Sequence, residues 1–217
     1  MKSWLLILYF IHFQIYLICQ SQLDTIEIKK VDSLINISAK FAKKRSIDEA
    51  MESNSIAEKL VLEKFGPDSK YYGSVCFNYG LIKEKLSRYT EAEEWYLKSK
   101  ILREKYLGKE DPGYAFCLNN LGVIYRLLGN YEKSELFLLE AIAIREKVLT
   151  QENSEYTASY LNLGNLYTVM GEYEKAEILY LKIKNIRENT FGKENHAYAN
   201  SVNNLGILYK NIGRYEL

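Results

Sequence analysis

One segment of this sequence comes round again every 42 residues, and that period limits the fold more than any other property of the chain. The stretch from Tyr114 to Glu155 aligns without a gap to the stretch from Tyr156 to Ala197, with 16 of 42 positions identical. The register runs backwards to Tyr72 and forwards through Tyr198, so Gly80, Gly122, Gly164 and Gly206 are equivalent, as are Tyr89, Tyr131, Tyr173 and Tyr215. A more degenerate copy reaches back to about Lys30, with Phe41, Ile47, Ala50 and Ala57 in register. The units are therefore 30–71, 72–113, 114–155, 156–197 and a shortened fifth, 198–217. A fixed period of this length means a stack of supersecondary units, each too small to bury its apolar face alone.

Each unit reads as two helices. Leu118, Leu121 and Tyr125 follow the i, i+3, i+7 spacing of an amphipathic helix. Gly129 is placed to end it in the left-handed conformation that glycine adopts without penalty. A second helix opens at Tyr131 and Glu132, with Leu138, Ala141, Ile144 and Val148 as its buried line. Ser69, Asp111, Asn153 and Asn195 stand where each following unit begins, and all four residue types cap helix N-termini well. Pro112, directly after Asp111, suits the first helical position. Period, stops and starts agree on an all-α chain of antiparallel helix pairs.

The recurring set Leu121-Gly122-Tyr125-Gly129-Tyr131-Ser134, repeated as Leu163-Gly164-Tyr167-Gly171-Tyr173-Ala176, resembles the tetratricopeptide repeat. The longer spacing, with "IREKVL" and "FGKENHAYANSVNNLG", is similar to the class found in kinesin light chains and many bacterial repeat proteins. The resemblance covers roughly residues 30–217 and implies an α-α superhelical solenoid whose first helices line a concave groove. The first unit departs most, with Ser38 at the glycine position and Arg45 at the turn, and Lys83 and Ser87 depart in the second. Gly122 is expected to let a neighbouring helix approach closely, and Tyr125, Tyr167 and Tyr209 to pack between helices with their hydroxyls near the surface.

Once the packing stripe is set aside, the first helices keep a second face. Asn78, Asn120, Asn162 and Asn204 fall on it, one per unit, and Asn165 joins them in the fourth. An amide side chain both donates and accepts, so such a ladder suits the backbone of an extended peptide. In related repeat proteins, asparagines at this position bind ligand backbone or carboxylate. The same amides also suit hydrogen bonds to the next helix within the stack, and the sequence leaves both roles open. Asn119, matched only by Asn203, reads as ordinary surface.

Other function classes find no residues. The formal charge of +1 comes from interspersed acids and bases, so no basic stripe marks a nucleic-acid or membrane surface. No nucleophile–histidine pairing, paired carboxylates, glycine-rich phosphate loop or metal-ligand spacing occurs, so the chain reads as a non-enzyme requiring neither cofactor nor metal. Cys76 and Cys117 fall on apolar parts of helices and read as small buried hydrophobes, with a disulfide between them left open. Pairs such as Glu132-Lys133 and Glu174-Lys175 read as solvated surface.

The beginning differs from the rest. Lys2 precedes an apolar run from Trp4 to Cys19, and Cys19-Gln20-Ser21 forms a small-x-small pattern. Residues 1–21 are expected to be a secretory signal peptide, followed by a short linker at 22–29, which places the protein outside the cytoplasm, periplasmic or secreted. An uncleaved anchor and a lipid attachment at Cys19 are the lesser alternatives. The expected function is a scaffold that binds a protein or peptide segment in its groove. Two alternatives stand beside it: a regulatory array ahead of a caspase-like protease or kinase domain, and a self-association module.

Overall fold

A computed structural model of the protein describes residues 25–213. Nine helices and no strand occur among the described residues: α1 (25–43), α2 (Ile47–Lys64), α3 (Lys70–Lys85), α4 (Tyr89–Leu107), α5 (Pro112–Leu127), α6 (Tyr131–Val148), α7 (Ser154–Met170), α8 (Tyr173–Phe191) and α9 (His196–Asn211). Odd-numbered helices are the first of each unit and even-numbered helices the second. Each second helix packs on its own first helix and on the first helix of the next unit, while α5 also touches α7. The result is a solenoid of helix pairs with a core running along it. The signal-peptide reading and Tyr215 lie outside the described residues.

The caps fall where the residue types place them. Ser69 accepts from the Tyr72 N–H at 3.2 Å and Asp111 from the Tyr114 N–H at 3.1 Å. Asn153 and Asn195 accept from the Glu155 and Ala197 N–H groups at 2.9 and 2.8 Å. At the turn inside each unit Gly129, Gly171 and Gly213 take φ of 78°, 80° and 71°. The equivalent Arg45 and Ser87 are forced to 62° and 59°, a conformation in which a Cβ crowds the backbone.

The recurring glycine of the first helix is a contact point between the two helices of a unit. A Cβ built on Gly122 would lie 2.5 Å from Leu138 Cγ, and on Gly80 or Gly164 it would lie 2.5 or 2.6 Å from the ring of Tyr96 or Tyr180. In the first unit Ser38 replaces the glycine, fully buried, and its hydroxyl donates to the Ala50 carbonyl at 2.9 Å. Leu118, Leu121, Tyr125, Leu138, Ala141 and Ile144 are buried as the stripes require. Cys76 and Cys117 are buried and free, and burial raises both thiols, that of Cys76 to about 12.

The structure corrects two expectations. The linker at 22–29 is helical from residue 25, because α1 extends a turn further to bring Glu27 within 3.0 Å of Lys64 on α2. Asn119 is not surface: it is only 6% exposed and bonds across to the next unit.

Candidate functional site

The first helices lie side by side, and the face they share is where the asparagine ladder was expected. A cavity of about 250 Å³ opens there, and its walls come from four successive first helices. Ala39 and Lys43 of α1, Phe77 and Leu81 of α3, Phe116, Asn119 and Asn120 of α5 and Glu155 of α7 form it. Its floor is aromatic, with the Phe77 and Phe116 rings edge-on at 6.5 Å.

Two arginines support that floor. The Arg103 guanidinium lies 5.4 Å from the Phe77 ring centre and Arg145 lies 4.9 Å from that of Phe116. Arg145 is 1% exposed, yet it donates to the Glu155 carbonyl and the Ser159 hydroxyl, both at 2.9 Å, and to the Glu155 carboxylate at 3.1 Å. Burial lowers its pKa, and Glu155 opposes that shift. Arg103 and Arg187 occupy the same repeat position, and Arg187 likewise donates to the first turn of the next helix at Ala197 O, 3.1 Å. The series was visible in the period, but an exposed arginine and a buried one look alike in sequence.

The ladder residues have separate surroundings. Asn78 is buried, and its Nδ2 donates to Ile35 O at 2.8 Å, so it ties α3 to the backbone of α1. Asn162 Nδ2 donates to Asn119 Oδ1 at 2.9 Å, where the Ser159 hydroxyl also donates at 2.9 Å. Asn119 in turn donates to Asn120 Oδ1 at 3.2 Å, leaving Asn120 half-buried on the wall of the aromatic cavity. Asn165 accepts from the Tyr180 hydroxyl at 2.7 Å. It shares a second cavity of about 260 Å³ with Asn204, Arg126, Val169 and Ile207. The structure thus gathers Asn120 and Asn162 around Asn119, places Asn165 with Asn204 further along, and sets Asn78 within the stack.

Chemically this face offers amide donors and acceptors, aromatic surface and a few charges. Its cavities hold no thiol, and the two buried cysteines are kept protonated by their surroundings. Among the described residues no group of three or more His, Cys, Asp or Glu stands ready for a metal ion. No helix among them is long and apolar enough to cross a membrane.

Comparison with known proteins agrees with this architecture. The family model described as "Tetratricopeptide repeat" matches residues 73–147 and 156–217. None of the curated protein sequences matches. Among solved structures, the fold is similar to BtubC (BKLC) from P. vanneervenii, with a TM-score of 0.72 at 20% identity over 85% of this chain and 74% of that one. It is also similar to a putative kinesin light chain from Podosopora anserina with nearly identical TPR-like repeats, with a TM-score of 0.70 at 18% identity over 85% and 88%. At these identities the likeness concerns the fold.

Proposed function

The chain belongs to the tetratricopeptide repeat family, whose repeats mediate protein–protein interaction, and from that premise we propose that it holds an extended peptide segment along the face of its first helices. The observation that carries this reading is the cavity shared by α1, α3, α5 and α7. Phe77, Leu81 and Phe116 offer an apolar seat for one anchoring side chain. Asn120, beside it, accepts from Asn119 and keeps a second lone pair and an amide hydrogen to offer a passing peptide backbone. Lys43 of α1 and Glu155 of α7 line the same cavity from its two outer helices. Glu155 is already paired with Arg145, so Lys43 is the charge left to select against basic flanking residues. A bound segment therefore pairs an apolar anchor with polar neighbours, and the scaffold itself performs no chemistry. With residues 1–21 as a leader, this binding takes place outside the cytoplasm, and a processed N-terminus on the exported protein is the check.

Selection of a displayed library of random peptides tests the reading. The wild-type chain is expected to enrich sequences with an aromatic or large aliphatic anchor. The Asn120→Ala, Asn162→Ala double variant is expected to bind the same peptides at least tenfold more weakly while still unfolding cooperatively. No enrichment by the wild type, or equal binding by the double variant, overturns the proposal.

A further inference from the structure

The amide network around Asn119 has a polarity, and Arg145 sets it. A guanidinium only donates, so the bond of 2.9 Å between Arg145 Nη1 and Ser159 is accepted by the serine oxygen. Ser159 is fully buried, and its hydrogen goes to Asn119 Oδ1 at 2.9 Å. Asn162 Nδ2 donates to the same oxygen at 2.9 Å. With Oδ1 engaged by both, Asn119 turns its Nδ2 to Asn120, and Asn120 Oδ1 receives that hydrogen at 3.2 Å. Orientation thus passes from a buried charge to the wall of the cavity.

The other side of Asn120 agrees. The Tyr96 hydroxyl donates to Glu84 of α3 at 2.8 Å, so toward Asn120 it can only accept. Burial, then Glu84, raises the Tyr96 pKa well above its usual value, and the hydrogen bond from the Asn120 amide opposes them. Asn119 bonds to α7, so Asn120 Oδ1 lies on the α7 side and Nδ2 on the α3 side. The second unit shows what Asn119 adds. Its counterpart there is Phe77, and Asn78 spends its own amide on the neighbouring unit, at Ile35 O. In the third unit Asn119 makes the bonds to the next unit and releases Asn120 for a partner.

We propose that Asn119 is a positioning residue of the groove: it locks the Asn120 amide, and a bound peptide therefore runs with its N-terminal end toward α7 and its C-terminal end toward α1. The direction presupposes that the groove holds an extended segment, as proposed above. An extended residue points its N–H and C=O to one side, the N–H coming first along the chain. Held by one amide, that residue gives its N–H to Oδ1 on the α7 side and takes Nδ2 on its C=O on the α3 side. The peptide thus crosses the first helices in the order α7, α5, α3. A reversed peptide sets N–H against Nδ2 and C=O against Oδ1. An Asn120 free to turn over would serve both directions, and the relay through Ser159 and Asn119 removes that choice.

The probe is the peptide that the wild-type chain enriches most from the displayed library, synthesised with a nitroxide at one end or the other. The full chain carries labelled methyl groups, of which Ala39 lines the aromatic cavity on α1 and Val169 the second cavity on α7. The C-terminal nitroxide is expected to broaden Ala39 more than Val169, and the N-terminal nitroxide to do the reverse. Each backbone N–H of the peptide is then replaced in turn by an ester oxygen. One replacement is expected to weaken binding to wild type about fivefold. The same ester is expected to cost nothing further in Asn119→Asp, which keeps the acceptor for Ser159 and Asn162 but sets an oxygen against Asn120 Oδ1. An Asn119 that only supports the stack would lower affinity and leave the ester effect intact. Direction is read on the wild-type chain, whatever the stability of the variant. A selection that enriches no peptide overturns groove binding and this inference with it. Reversed or even broadening, or an ester effect unchanged in Asn119→Asp, overturns this inference alone and leaves groove binding in place.

Discussion

The Tyr125 hydroxyl donates to the Glu93 carboxylate at 2.7 Å, joining α5 to the second helix of the preceding unit across 32 residues of sequence. Tyr167 and Glu135 repeat the bond at 2.5 Å, and Tyr209 and Glu177 at 2.6 Å, again 32 residues apart. Lys133 and Lys175 lie 4.9 and 5.0 Å from the Tyr125 and Tyr167 ring centres. One tyrosine thus binds three consecutive helices through its ring and its hydroxyl. Tyr167→Phe keeps the ring and removes the bond, so it is expected to cost about 1–2 kcal/mol, the range for a hydrogen bond to a partly exposed charged group. A double-mutant cycle with Glu135→Ala, followed by denaturant unfolding, is expected to give a coupling of about 1 kcal/mol. Additive losses would mean that the bond contributes nothing.

Ser87 and Arg45 stand where other units have a left-handed glycine, at φ of 59° and 62°. A side chain in that region costs roughly 1–2 kcal/mol, which glycine does not pay, although glycine gains freedom in the unfolded chain. Ser87→Gly is therefore expected to raise stability by about 1 kcal/mol, read as a higher thermal midpoint with no change in the slope of denaturant unfolding. The reverse change, Gly129→Ser at φ of 78°, is expected to lower it by a similar amount.

These positions show how far the sequence could be read. The period exposes every substitution that keeps register, so caps, turns and the close approach at Gly122 were legible from residue type alone. Asn119 was not, because its burial depends on Ser159 and Asn162 arriving from the next unit, and no spacing rule within one helix reports that. Arg145 was hidden for the same reason: its partners Glu155 and Ser159 belong to the following helix. The tyrosine hydroxyls were expected near the surface, but their carboxylate partners became visible only when successive units were set side by side. Groove residues are hardest to read, since an amide serves the scaffold or a ligand with the same atoms.

Arg145 ties one unit junction through a single side chain. Arg145→Met preserves much of the aliphatic stem against Phe116 and removes every donor to Glu155 and Ser159. The loss is expected to be about 2–3 kcal/mol, below the roughly 3–5 kcal/mol of a fully buried broken pair because the Glu155 side chain is 33% exposed and regains water. Hydrogen exchange is expected to quicken first in the opening turn of α7, where the freed carbonyl lies. Uniform quickening across the chain would place the role of Arg145 elsewhere.

Alkaline pH acts on many tyrosines together. Burial, followed by the Glu93 hydrogen bond, raises Tyr125 to about 12, and burial also raises Tyr72, Tyr96, Tyr114, Tyr160, Tyr167 and Tyr180. In the unfolded chain these groups titrate near 10. Between about pH 10 and 12 the unfolded state therefore releases protons that the folded state keeps, and stability falls. The contribution is complete below pH 10 and fades as pH rises through the folded values. Thermal midpoints are expected to begin to fall above about pH 8.5, as Cys76 and Cys117 ionise in the unfolded chain, and to fall steeply above about 10, with tyrosinate absorbance at 295 nm appearing together with loss of helix. Tyrosinate absorbance at its full amplitude in a still-helical protein would contradict this.

The glycine series permits a comparison inside one molecule. Gly122→Ala puts a Cβ 2.5 Å from Leu138 Cγ and 3.2 Å from the backbone oxygen of Ser134, and Leu138 is fully buried with no open side to move toward. Such overpacking costs roughly 1–3 kcal/mol, against about 1 kcal/mol gained from the better helix former, so a net loss of about 1 kcal/mol is expected. Gly206→Ala meets no described atom and is expected to show the gain alone, about 1 kcal/mol of added stability. Leu138→Ala by itself opens a cavity and is expected to cost roughly 2–5 kcal/mol. Combined with Gly122→Ala it should cost clearly less than the two losses added, because the new methyl enters the space that Leu138 leaves. Strict additivity in that cycle, or a Gly206→Ala protein as damaged as Gly122→Ala, would show that the glycine position is not set by the residue facing it.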